Sequence, residues 1–276
     1  MYARSLNAKQ LSHFQAVGPD YNVTFIEDAS ELAALDQPFT LLGAGTNRLW
    51  LNPQHSPLIS LKPLNYVHFF EGGLVTVGAG AMLPIVINQA KEKGLGGLAF
   101  TWPIPASLGG ALAQNFGAYQ SQIGTLVRSM TVYSPLTKTL LTLSPETDWF
   151  SYRHSRLKTD GLVLIEATLQ LEPMDPSHIQ TELDSIRHQR TKRYPLHHTC
   201  GSVFKNPANI PAGKLLDDCG LKGYRRGAVH TAEGHANIIL ADSGSTTQDI
   251  ADMIQHLQCT VLEQTGVTLE IELEIY

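Results

Sequence analysis

Apolar and polar positions alternate over residues 21–27, as in a half-buried strand. Residues 30–35 then take helical spacing, with Asp28 or Ser30 as the cap. A short apolar run at 39–42 enters Gly43-Ala44-Gly45-Thr46-Asn47, which reads as a strand feeding a glycine turn. Residues 58–69 and 74–77 read as two strands around Glu71-Gly72-Gly73, and the second enters Gly78-Ala79-Gly80. Leu83, Val86, Ile87 and Ala90 keep helical spacing, with Gly94 as the stop. Residues 126–133 and 161–171 read as strands, and residues 212–219 as a helix stopped by Gly220. The clearest helix covers 246–264, with Ile250, Met253, Ile254, Leu257, Val261 and Leu262 on one side and Gly266 at its end. Residues 267–275 alternate strictly, as a final strand. Short helices interrupt many strands without a regular βαβ repeat, so the expected class is α+β.

Residues 94–117 break this pattern, being dense in Gly and Pro with little charge. Such a stretch suggests backbone held close to a ligand rather than a floppy linker. The clearest linker is Pro173-Met174-Asp175-Pro176.

Composition narrows the function classes. Of the 276 residues, 43% are hydrophobic, enough for a sizeable core, and only 16% are charged. The net charge of -5 argues against nonspecific nucleic-acid binding, which needs clustered cations. One basic run, Arg187-His188-Gln189-Arg190-Thr191-Lys192-Arg193, reads either as a solvated helix end or as an anion site. Cys200, Cys219 and Cys259 form no CxxC pair, as in a chain with reduced thiols. The opening Met-Tyr-Ala-Arg-Ser-Leu-Asn lacks the apolar run of a signal peptide, and no long apolar run suggests a membrane span. A cytoplasmic protein, binding neither membrane nor nucleic acid, is expected.

Five segments could carry chemistry. Gly43-Ala44-Gly45-Thr46-Asn47 could cradle a pyrophosphate on its N–H groups, or could be a plain strand turn. It is not a Rossmann fingerprint, since no third glycine opens a helix. The second is Gly109-Gly110-Ala111-Leu112-Ala113-Gln114-Asn115-Phe116-Gly117-Ala118-Tyr119. Two such loops suit one extended dinucleotide, or are tight turns in a compact core. The third, Tyr152-Arg153-His154-Ser155, offers a guanidinium that packs on an aromatic ring or stabilises an oxyanion. The fourth, Gly201-Ser202-Val203-Phe204-Lys205-Asn206-Pro207, holds a serine outside any GxSxG elbow. Glu270, Glu272 and Glu274 form the fifth. The two-residue period puts them on one face of the last strand, where they read as solvated. The eleven histidines lack the helical spacing of a zinc site, so no metal is expected.

The order of these segments is more specific than any one of them. Leu42-Gly43-x-Gly45-Thr46-Asn47, Ile104-Pro105, Gly109-Gly110-Ala111, Asn115-x-Gly117-Ala118-Tyr119, Tyr152-Arg153-x-Ser155 and Gly201 to Pro207 follow one another. Gly220-Leu221-Lys222-Gly223, His235-Ala236-Asn237 and the terminal glutamates complete the series. From about residue 38 onward the chain resembles the UDP-N-acetylenolpyruvoylglucosamine reductase family, in its compact form without the inserted tyrosine loop.

The resemblance implies an FAD-binding fold of the vanillyl-alcohol-oxidase (PCMH) type. Two FAD-binding subdomains would cover residues 1–58 and 59–173, and a C-terminal α+β substrate-binding domain would cover 174–276. It also implies a monomer using NADPH as reductant and UDP-N-acetylglucosamine enolpyruvate as substrate. By motif position, FAD would be bound by Gly43, Ala44, Gly45, Thr46, Asn47, Arg48, Pro105, Gly109, Gly110, Asn115, Gly117 and Ala118. Tyr119, Lys192, Asn206 and His235 would face the substrate. Ser202 would give a proton to C2, after hydride arrives at C3 from flavin N5. Arg153 and a protonated Glu272 would stabilise the enol-like intermediate between the two steps. Ala106 and Gln120 stand where the family usually has glycine, and Ala232 where it usually has serine. The first two leave open a non-catalytic FAD-binding module. An oxidase acting on another substrate is the other alternative.

Overall fold

Strand Val163–Gln170 buries Val163, Ile165, Ala167 and Leu169 while Glu166, Thr168 and Gln170 stay partly exposed. That alternation belongs to a sheet with one face on a core. The computed structural model describes residues 1–52, 56–195, 197–208 and 210–276. The chain divides into two units, and the sheet lies in the first, built from Met1–Arg4, Val23–Ala44 and Ser56–Arg187.

In the first unit, five antiparallel strands run in the order Thr139–Leu143, Val127–Ser134, Val163–Gln170, Leu74–Gly78, Val67–Phe69. Leu58–Ser60 lies in a different sheet, parallel to Thr40–Leu42 and to Val23–Phe25. The single strand expected over 58–69 is therefore two strands. The chain turns between them, at Pro63-Leu64-Asn65, where Leu64 N–H bonds back to Leu61 O. Helix Leu83–Glu92 presents Leu83, Val86, Ile87 and Ala90 to the core. A second helix, Leu108–Ala113, lies inside the glycine-rich stretch, capped by the Ser107 side chain. Its glycines hid it from a reading by propensity. Val75, Val77, Val132, Ala167 and Leu169 are fully buried in one core cluster. Burying each of these valines and Leu169 contributes on the order of 1.5–3 kcal/mol.

The second unit comprises Ser5–Asn22, Gly45–His55 and His188–Tyr276. Helix Thr247–Thr265 starts at a capping box made by Thr246 and Asp249 and ends at Gly266, where φ is 74°. It buries Ile250, Met253, Ile254, Leu257 and Val261. Leu262 does not join them; it is 48% exposed, lying beyond the edge of the apolar stripe. Helix Ala212–Asp218 and a three-stranded sheet, ordered Arg225–Arg226, Val229–Thr231, Ile239–Ala241, complete this core. Arg48–Leu49 pairs in parallel with Glu274–Ile275, and buried Trp50 packs against Tyr21 and Tyr276.

The expected long final strand is interrupted. Only Glu274–Ile275 forms a ladder, with an isolated bridge between Phe204 and Ile271. Between them, the N–H groups of Glu272 and Leu273 both donate to Val203 O, at 2.8 and 3.3 Å. Two residues opposite one is a β-bulge, which re-aims side chains and breaks the two-residue period. The three glutamates therefore do not share one solvated face.

Candidate active site

In the first unit, two glycine segments face each other. A Cβ added to Gly43 would lie 3.4 Å from Ser107 Oγ and 3.8 Å from Gly110 Cα. A Cβ on Gly109 would meet Ala79 O at 3.1 Å. The backbones approach this closely because both positions lack a side chain. Ala106 is buried, and its carbonyl accepts the Leu83 N–H at 2.9 Å, so this alanine packs where the family usually has glycine.

Asn115 is 1% exposed and ties this wall together. Its Nδ2 donates to Gln122 Oε1 at 2.7 Å and to Ser151 O at 2.8 Å. Its Oδ1 accepts the Gly124 N–H at 3.1 Å. Ser155 Oγ donates to Ala113 O at 2.7 Å. Both side chains are thus committed to joining the Tyr152–Ser155 hairpin to the 113–124 segment.

Arg153 sits in the two-residue turn between strands Phe150–Ser151 and His154–Ser155, at φ 55°. Left-handed backbone costs a side-chain-bearing residue roughly 1–2 kcal/mol. Its Nη1 donates to Gly117 O at 3.1 Å, and its guanidinium lies 5.3 Å from the Tyr152 ring and 5.9 Å from the Phe116 ring. The packing and polar readings of this arginine thus hold together. Tyr119 and Gln120 form a similar turn between Gly117–Ala118 and Ser121–Gln122, with φ of 52° and 62°. Both are exposed. Pro105 is half-buried, just before Ala106.

The loop from Gly43 to Asn47 joins strands Thr40–Leu42 and Arg48–Leu49. Among the described residues, the N–H groups of Gly43, Ala44, Gly45 and Thr46 donate to no protein acceptor. Consecutive unclaimed N–H groups form a concavity suited to an anion, which fits the pyrophosphate of FAD. These four residues would hold it. Gly45 has φ 72°, and a Cβ there would lie 2.2 Å from Leu11 O.

In the second unit, Ser202 and Glu272 belong to neighbouring segments. Ser202 bridges Ile238, and the Val203 carbonyl beside it accepts the Glu272 N–H. Glu270 pairs with Lys205 at 2.6 Å, and Glu274 pairs with Arg48 at 3.0 Å. Each flanking glutamate thus has its own cation, and Glu272 lies between them. Arg48 also lies over the Tyr276 ring, at 4.7 Å, so its guanidinium braces this sheet. Cys200 is buried; its Sγ lies 3.5 Å from Gly45 O and 3.4 Å from Ser12 Oγ. Burial pushes its thiol pKa up, as for an inert structural cysteine.

Asn206 Oδ1 accepts the Ala212 N–H at 3.0 Å, fixing the start of helix Ala212–Asp218. The His235 ring lies against Tyr194 at a tilt, with ring centroids 5.1 Å apart. A Cβ on Gly213 would meet the His235 ring at 2.7 Å. Lys192 is exposed near the end of helix Pro176–Arg193.

One residue whose second role the sequence hid is Asn47. Its Nδ2 donates to Glu272 O at 3.1 Å, across 225 positions of chain. No local pattern signals a bond of that range.

Comparison with known proteins gives a consistent result. A profile of the UDP-N-acetylenolpyruvoylglucosamine reductase C-terminal domain matches residues 192–276, and an FAD binding domain profile matches residues 25–141. The UDP-N-acetylenolpyruvoylglucosamine reductase of Nostoc sp. (strain PCC 7120) is 36% identical over 240 residues, 86% of this chain and 72% of its own length. That of Clostridium perfringens (strain SM101) is 34% identical over 272 residues, 95% of this chain and 89% of its own. The crystal structure of UDP-N-acetylenolpyruvylglucosamine reductase from Thermus caldophilus superposes with a TM-score of 0.86 at 26% identity. That likeness covers 100% of this chain and 99% of the other. These matches bear out the α+β, FAD-binding fold expected from the sequence.

Proposed function

Because the chain belongs to the UDP-N-acetylenolpyruvoylglucosamine reductase family, we propose that it reduces UDP-N-acetylglucosamine enolpyruvate to UDP-N-acetylmuramate for peptidoglycan synthesis. FAD, when bound, would supply the hydride for C3 of the enolpyruvyl group, with NADPH as its source. The chain's own residues do the rest. The 43–46 N–H groups hold the pyrophosphate. Arg153, fixed on Gly117 O, and Glu272 stabilise charge on the substrate as its enolpyruvyl group becomes enol-like. Ser202 Oγ gives the proton that C2 then takes, so it acts as an acid and not as a nucleophile. Tyr119, Lys192, Asn206 and His235 orient the sugar nucleotide. This is cytoplasmic chemistry on a soluble nucleotide sugar, and among the described residues no helix is long and apolar enough to cross a membrane.

The observation that carries this reading is the 2.8 Å bond from Glu272 N–H to Val203 O, which sets the carboxylate's own backbone beside the serine's neighbour. The test is a pair of half-reactions on Ser202→Ala. Flavin reduction by NADPH should keep its rate, while reoxidation by the enolpyruvyl substrate should slow by at least about a hundredfold. Full turnover by the variant would remove Ser202 from the mechanism. Reoxidation of wild-type protein by O2 alone, with no response to the enolpyruvyl substrate, would point to an oxidase.

A further inference from the structure

The backbone of Glu272 is held from two sides. Its N–H donates to Val203 O at 2.8 Å, next to Ser202. Its carbonyl accepts Asn47 Nδ2 at 3.1 Å, from the glycine loop. The main-chain carbonyl of Asn47 accepts the Glu274 N–H at 3.1 Å. Asn47 therefore brackets Glu272, bonding to the residue itself and to the second residue after it. The bracket falls at the β-bulge formed by Glu272 and Leu273. Where two residues oppose one, the ladder no longer dictates where a side chain points. The bond from Asn47 adds a second hold on the Glu272 backbone there. Cys200, two residues before Ser202, also reaches this loop through Gly45 O and Arg48 O, at 3.5 and 3.6 Å.

We propose that Asn47 is a positioning residue for Glu272, and that it couples occupancy of the glycine loop to the aim of that carboxyl group. An anion bound on the loop's N–H groups orders the loop; Asn47, the next residue along, transmits that order to Glu272. The coupling runs both ways, since two events that order one segment each lower the cost of the other. The proposal rests on the functional reading above for Glu272's role, but the bracket itself can be tested without turnover.

The first test is hydrogen exchange in the FAD-free protein. Asn47→Ala keeps the main-chain acceptors of the Glu272 and Glu274 N–H groups but loses the side-chain bond that steadies the segment, so exchange at both should rise about tenfold. Adding FAD should slow exchange at these two groups in wild-type protein and have little effect on them in the variant. The second test separates half-reactions at saturating FAD. Asn47→Ala should slow substrate reduction about ten- to a hundredfold, as expected when a catalytic group is misplaced. Flavin reduction by NADPH should slow by a clearly smaller factor than substrate reduction. Asn47→Asp, which keeps the shape but loses the donor, should behave as Asn47→Ala in both tests. Unchanged exchange at 272 and 274 would overturn the proposal. So would a variant whose only defect is weaker FAD binding, with substrate reduction normal once FAD is saturating. If wild-type protein fails to reduce the enolpyruvyl substrate at all, the functional reading falls, while the exchange result still decides the bracket.

Discussion

Arg153 Nη1 donates to the carbonyl oxygen of Gly117 at 3.1 Å, so the guanidinium is held by the same segment whose glycines border the proposed cofactor space. A lysine ammonium is a point charge and cannot keep both this bond and a planar face toward substrate. Arg153→Lys should bind FAD normally and lose about a hundredfold in turnover, with the loss confined to substrate reduction. Stopped-flow measurement of the two half-reactions checks this.

The two glycines of the first loop should answer differently to alanine. At Gly43 the added Cβ meets Ser107 Oγ at 3.4 Å, an ordinary contact, so Gly43→Ala should fold. It narrows the space toward Gly110, and FAD affinity should fall about tenfold, read by flavin fluorescence. At Gly45 the Cβ would lie 2.2 Å from Leu11 O, on backbone at φ 72°. Gly45→Ala should cost at least about 2 kcal/mol of stability whether or not FAD is present, read by denaturant unfolding.

Gln120 carries a side chain at φ 62°, next to Tyr119 at φ 52°, in an exposed two-residue hairpin turn. Such turns favour glycine and asparagine because both central residues need positive φ. Gln120→Gly should raise stability by about 0.5–1 kcal/mol. Thermal unfolding of the two proteins side by side measures it, and an unchanged or lowered midpoint would contradict it.

Much of the frame was legible in the sequence. The helix Thr247–Thr265 carries its cap, stripe and stop in its own residues. The glycine loops were legible as turns that could approach a ligand. Less visible was whatever depends on partners far along the chain. Asn115 reads as one polar residue among glycines, yet it joins Gln122, Gly124 and Ser151. The alternation of 267–275 is real in sequence, but Val203 O accepts two N–H groups and breaks it in space. Helix Leu108–Ala113 carries two glycines, and its burial of Leu108, Ala111 and Leu112 outweighs their propensity cost.

His13 supplies a pH dependence. Burial, and then the nearby charge of His197, lower its imidazole pKa from the ordinary 6.5. The unfolded chain therefore binds this proton better than the folded one. Its stabilising effect is present above pH 6.5 and is lost as pH falls below that value. The His13 main-chain N–H donates to Gly45 O at 3.0 Å, so the glycine loop should feel the change. Between about pH 7 and pH 5, His13→Gln should show a shallower fall in unfolding midpoint than wild type.

The second unit draws on residues 5–22 and 45–55 as well as everything after 187. The first unit's chain is complete once residue 187 has been made. On the ribosome, Phe14 and Leu49 must therefore wait for members of their core cluster from the end of the chain, such as Leu257 and Val261, and Trp50 for Tyr276. Such long sequence separations make closure slow, and exposed apolar side chains in the meantime invite self-association. The nascent protein should thus depend on chaperones until its last 89 residues, His188–Tyr276, emerge.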